Sequence, residues 1–166
     1  MTTAEKLVRV LTDKKMTCAT AESCTGGGVG YAITAVSGSS AVFWGGIISY
    51  DNSVKHGVLG VPEEVLATKG AVSSECAAAM AEGAKRLLKT DLAVSLTGIA
   101  GPGGGSDLKP VGICWTAAAH RNPFSGEIEV ISRLVKSASA SREVNMQRFA
   151  SNALNLLRLM MQQKLL

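Results

Sequence analysis

The sequence predicts an α/β domain: a layered fold built on a mixed, mostly parallel sheet, in one unit spanning residues 1–166. Short apolar runs of strand length alternate along the chain with stretches of helical periodicity. Two glycine-rich loops follow directly on such runs, at Gly26-Gly27-Gly28 and Gly101-Pro102-Gly103-Gly104-Gly105. The composition supplies a core to pack against, with 46% hydrophobic residues and only 18% charged ones. Aromatic residues are scarce, at 4%, so Leu, Val, Ile and Ala have to fill that core.

Thr2-x-x-Glu5 has the form of a capping box, and Leu7, Val8, Val10 and Leu11 then give a first helix its apolar face. Met16 to Ala21 reads as a buried strand. It ends at Glu22-Ser23-Cys24-Thr25 and passes through the first glycine loop into a small-residue helix reaching Val36. Gly38-Ser39-Ser40 makes a turn, and Phe43 to Tyr50 is the second strand. Asp51-Asn52-Ser53 starts a short helical turn that carries Lys55. Pro62 fits the first position of a helix to about Lys69, closed by Gly70. Ser73 or Ser74 caps a long alanine-rich helix through Leu88. Leu92 to Thr97 is a third strand, and the second glycine loop lies at its end. Val111–Ala119 and Ile128–Leu134 read as a strand pair turning near Asn122-Pro123, which makes the sheet mixed. Ser141 to about Gln162 closes the chain as a helix with Val144, Leu154 and Leu157 on its inner face.

Charge and motifs narrow the function classes. The net charge of +4 comes from scattered basic residues with no aromatic interleaving, which does not support a nucleic-acid groove. Cys18, Cys24, Cys76 and Cys114 form no Cys-x-x-Cys pair, and His56 and His120 lack metal-ligand spacing, so no metal is expected. Reduced thiols, no signal-peptide pattern and no apolar run of transmembrane length point to a cytoplasmic protein. Neither glycine loop fits the dinucleotide fingerprint or the P-loop. Each is read either as a cradle for a phosphate or carboxylate or as a tight turn alone. Ser23, at a strand end before a helix amino terminus, suits a nucleophile whose oxyanion the helix N–H groups would stabilise. Cys24 competes for that role, since thiols at helix amino termini are often acidified. No residue marks itself as the base from these patterns; Lys55 is one of several lysines.

Taken in order, Ala21-Glu-Ser-Cys-Thr-Gly-Gly27, Gly38-Ser-Ser40, Tyr50 with Lys55, Gly70-Ala-Val-Ser73, Gly98-Ile-Ala-Gly-Pro102 and Lys109-Pro-Val-Gly112 resemble the CinA carboxy-terminal domain family, which includes stand-alone nicotinamide mononucleotide deamidases. The resemblance implies a three-layer α/β/α domain and a Ser/Lys amidohydrolase that needs no metal or organic cofactor. In it Ser23 is the nucleophile, Lys55 the general base, and Tyr50 assists proton transfer or holds the lysine. Thr25, Gly26 and Gly27 would supply oxyanion donors; Gly98, Ala100, Gly101 and Arg142 would bind the substrate, nicotinamide mononucleotide. Where the family usually carries Gly-Asp-Arg and a second arginine four residues on, this chain has Ala140-Ser141-Arg142 and Met146, which bears on substrate affinity. The pyrophosphate-hydrolysing activity of full-length relatives is not expected of these 166 residues. A homodimer is expected from the apolar helix faces. The alternative is a catalytically silent domain that binds a nucleotide or a protein, of a competence- or damage-inducible type.

Overall fold

The computed structural model describes residues 1–163. Five strands, β1 (Cys18–Glu22), β2 (Phe43–Ile48), β3 (Leu92–Gly98), β4 (Ile113–Arg121) and β5 (Ile128–Lys136), form one sheet in the order β2-β1-β3-β4-β5. β1 pairs in parallel with β2 and with β3, while β4 runs antiparallel to both β3 and β5. Four strands therefore share a direction and β4 opposes them, so the hydrogen-bonded pairings are split evenly between the two kinds.

The helices are α1 (Thr3–Lys14), α2 (Gly28–Thr34), α3 (Asn52–Gly57), α4 (Glu63–Thr68), α5 (Ser74–Leu88) and α6 (Arg142–Gln163), with one 3-10 turn at Ser39–Ala41. α1, α2 and α6 cover one face of the sheet, where Leu7, Leu11, Ile33, Phe149 and Leu157 are fully buried. α5 covers the other, with α4 against it, over a core of Leu59, Val61, Met80 and Ala84. Each large apolar side chain taken out of water this way contributes about 1.5–3 kcal/mol. Three layers result because both faces of the central strands are apolar: every residue of β1 is buried.

Local chemistry sets the boundaries. The capping box forms as expected: Glu5 N donates to Thr2 Oγ1 (3.1 Å), and Thr2 N to Glu5 Oε2 (2.6 Å). Ser73 rather than Ser74 caps α5, accepting from Cys76 N at 3.1 Å. Pro62 stands at the N-cap of α4, one residue before the first helical position. β1 begins two residues later than expected, because Met16 N still closes the end of α1 by donating to Leu11 O. β2 stops at Ile48, which leaves Ser49 and Tyr50 free to turn towards α3.

This topology decides where a site can form. β1, β2, β3 and β5 all run the same way, so their carboxyl ends lie at one pole of the sheet. Ser23, Tyr50, the second glycine loop and the start of α6 each follow directly on one of those ends. Ligands of open α/β sheets bind at this end.

Candidate active site

At that pole a cavity of about 270 Å³ is lined by Ser23, Cys24, Tyr50, Lys55, Arg142 and the loop from Thr97 to Gly104. Ser23 is the first residue after β1 and is 8% exposed. Lys55 comes from α3, whose start is fixed by Asp51: its carboxylate accepts from Ser53 N (2.9 Å) and Ser53 Oγ (2.6 Å). Placed in the middle of that helix, Lys55 is 1% exposed, which is unusual for lysine. Its Nζ donates to the carbonyl oxygens of Ser49 (2.6 Å) and Tyr50 (3.3 Å) and lies 3.1 Å from Ser23 Oγ.

Nζ donates to all three oxygens, Ser23 Oγ among them, which uses the three N–H groups of an ammonium. A neutral lysine has two N–H groups and one lone pair. When Lys55 is neutral, the two carbonyls can take those N–H groups, which leaves the lone pair for the Ser23 hydroxyl proton. Burial lowers the Lys55 pKa from its ordinary 10.5; negative charge on Cys76, Asp51 or Cys24 pulls the other way and is outweighed. The geometry thus sets the Ser23 hydroxyl beside a buried amine whose lowered pKa favours its neutral form.

Tyr50 contributes through two different groups. Its carbonyl helps hold Lys55, while its hydroxyl accepts from Arg142 Nη2 at 3.1 Å. Arg142 Nη1 donates to Gly101 O at 2.7 Å, so this side chain bridges the tyrosine and the second glycine loop. Cys24 also lines the cavity. A hydrogen bond from Cys114 lowers its thiol pKa, helped by backbone N–H groups and the charge of Arg142, against the opposing effect of burial. Cys114 is pushed well up by burial and by the same neighbour.

Three expected ligand residues are not brought into the cavity. Gly26 N donates to the Ser23 carbonyl in a tight turn, and Thr25 Oγ1 donates to Glu22 Oε1 at 2.7 Å. Gly27 sits against Ile48, outside the cavity lining. The helix amino terminus expected to stabilise an oxyanion is occupied by the chain itself. Buried Glu22 accepts from Val29 N (2.8 Å) and Gly30 N (2.9 Å), so its carboxylate already fills the anion position of α2. Met146, which stands where the family carries a second arginine, does not line the cavity either. It lines a separate, mainly apolar groove of about 770 Å³ with Tyr31, Ala32 and Ala150, and packs on the core.

Asn52, Ala71 and Val72 line the cavity without having been given a site role in the sequence, and Ile99, Gly103 and Gly104 of the second glycine loop line it too. Ala71 is tied to the end of β3, where Thr97 Oγ1 donates to its carbonyl at 3.0 Å. Only the topology brings this linker, between α4 and α5, to the pole. Glu22 did carry a signal, as a lone carboxylate closing an otherwise uncharged strand. Among the described residues no cluster of His, Cys, Asp and Glu could hold a metal ion, and no helix is long and apolar enough to cross a membrane.

Fold and site together define a three-layer α/β domain with a buried serine–lysine pair beyond its parallel strands. The chain belongs to the CinA C-terminal domain family, whose profile matches residues 1–161. A CinA-like protein of Geobacter sulfurreducens is 52% identical over 141 residues, 81% of this chain and 34% of that protein. One from Synechococcus is 55% identical over 116 residues, 70% of this chain and 28% of its own length. The chain therefore spans about a third or less of these curated relatives. Solved structures match it end to end. The competence/damage-inducible protein CihA from Agrobacterium tumefaciens has TM-score 0.87 and 38% identity, covering 98% of this chain and 97% of its own. A CinA superfamily protein from Klebsiella pneumoniae has TM-score 0.88 and 30% identity, with 97% and 96% covered.

Proposed function

We propose that this protein hydrolyses the carboxamide of nicotinamide mononucleotide, releasing ammonia and nicotinate mononucleotide, and so serves pyridine-nucleotide salvage in the cytoplasm. The observation that carries the reading is the contact of Lys55 Nζ with Ser23 Oγ inside a cavity edged by Arg142 and a glycine loop.

Ser23 Oγ attacks the carboxamide carbon as Lys55 takes its proton. The C–N bond then breaks, and the proton on Lys55 passes to the leaving nitrogen, which departs as ammonia. Water, deprotonated by the same lysine, attacks the resulting ester; Ser23 regains its proton and the carboxylate product leaves. Arg142 and the loop amides suit the phosphate end of the substrate. Loss of the second family arginine leaves this reading intact, because Met146 lines the apolar groove and not the cavity.

Ammonia release from nicotinamide mononucleotide by the purified protein, beside Ser23→Ala, tests the proposal. Release by the wild type with loss of at least about a thousandfold in the variant is expected. A folded wild type that releases none, or a variant that keeps most of the activity, contradicts it.

A further inference from the structure

Asn145 is fully buried on the first turn of α6, behind the second glycine loop. Its Nδ2 donates to Ala100 O (2.9 Å) and to Ser139 O (3.1 Å), which fixes the orientation of the amide. Its Oδ1, by contrast, is buried with no hydrogen-bond partner among the described residues. An unsatisfied buried acceptor is costly, and a leucine of similar size would remove it. The two N–H donors are therefore what Asn145 contributes at this position.

The consequence runs through one peptide unit. Ala100 C=O and Gly101 N–H share a trans peptide and point in opposite directions. Ala100 and Gly101 line the cavity whereas Asn145 does not, and with the Ala100 carbonyl bound by Asn145 the Gly101 N–H points away from that side chain. That N–H has no acceptor among the described residues. The next carbonyl, of Gly101, is held by Arg142, and Pro102 follows with no N–H to compete. Gly101 itself has φ +81°, and a β-carbon there would collide with Val111, so the backbone conformation depends on glycine.

We propose that Asn145 is a positioning residue that aims the Gly101 N–H, beside the Arg142 guanidinium, at an anionic phosphate oxygen of the substrate. The identity of that substrate rests on the deamidase reading; the aim of the N–H does not. The test is inorganic phosphate titrated into isotope-labelled protein, following the Gly101 amide resonance in the wild type, Asn145→Leu and Asn145→Ser. In the wild type the resonance moves saturably with phosphate. In both variants phosphate affinity falls about tenfold or more, as expected for losing one charge-assisted hydrogen bond. KM for nicotinamide mononucleotide rises in step while kcat stays within about threefold. Should Asn145→Leu fail to fold, Asn145→Ser decides. A Gly101 resonance indifferent to phosphate in the wild type, or folded variants that bind phosphate as the wild type does, overturns the proposal. A wild type that binds phosphate at Gly101 and releases no ammonia refutes the deamidase reading and leaves the role of Asn145 standing.

Discussion

After β1 the chain runs through Gly26-Gly27-Gly28, and after β3 through Gly101-Pro102-Gly103-Gly104-Gly105, two loops of similar composition at the same pole of the sheet. The first is closed from within. Glu22 fills the amino terminus of α2, accepting from Val29 N, Gly30 N and Thr25 Oγ1, and Gly26 N is held by the Ser23 carbonyl. The second is held from behind, by its carbonyls. Gly112 N takes Ile99 O, Asn145 takes Ala100 O and Arg142 takes Gly101 O, all from outside the loop. The loop lines the cavity that faces Ser23. A glycine-rich turn suits a ligand when its carbonyls are engaged and its amides are left free. Where a carboxylate of the same chain supplies the anion, as Glu22 does for α2, the helix amino terminus is already occupied.

The difference can be sharpened by breaking each part in turn. The largest effect is expected at Lys55, the base of the proposed reaction. Lys55→Met lowers kcat by about a thousandfold or more, read by ammonia release. The same variant has a stability signature. The Lys55 pKa is lowered in the folded state, so the unfolded chain binds the proton more tightly, and lysine burial costs stability as pH falls below 10.5. The cost is fully present once pH is below the lowered folded value, and it vanishes above 10.5, where both states are neutral. Thermal melts as a function of pH should therefore show Lys55→Met gaining on the wild type towards neutral pH, with the gain disappearing as pH rises to 10.5. A difference independent of pH would mean that Lys55 is not buried as described.

A smaller effect, of a different kind, is expected at the closed loop. Glu22→Gln replaces an acceptor with an N–H₂ group that faces backbone N–H donors, which costs about 1–3 kcal/mol of stability by denaturant melts. Phosphate affinity of the folded variant should stay within a factor of about two, because the carboxylate serves α2 and not the cavity. A large drop in affinity at unchanged stability would erase the contrast between the loops.

Most of the fold was legible because periodicity and end signals agree. Thr2-x-x-Glu5, Asp51 and Ser73 each cap the helix they announce, and Leu92–Thr97 is a strand to within one residue. The even division between parallel and antiparallel pairing was less legible, since β4 is inserted beside β3 by long-range pairing that leaves no local mark. Of the site, Ser23, Tyr50, Lys55, Gly98, Ala100, Gly101 and Arg142 do converge on one cavity. Those residues were named together by resemblance to a family, since no pattern of spacing distinguishes Lys55 from a solvated lysine. Thr25, Gly26 and Gly27 lie outside the lining of that cavity, and the carboxylate that fills the amino terminus of α2, Glu22, belongs to the strand before it. Asn145 went unmarked because its partners lie 45 and 6 residues away, and only the folded chain brings them together.

The claim that Ser23 is the nucleophile, with Cys24 beside it as the rival, is tested most directly by trapping the acyl-enzyme. Protein mixed with nicotinamide mononucleotide, quenched in acid during turnover and digested, should yield a peptide carrying the nicotinate mononucleotide acyl group on Ser23 in the mass spectrum. The adduct should be absent from Ser23→Ala. An adduct on Cys24, or turnover by Ser23→Ala at the wild-type rate, would contradict the account.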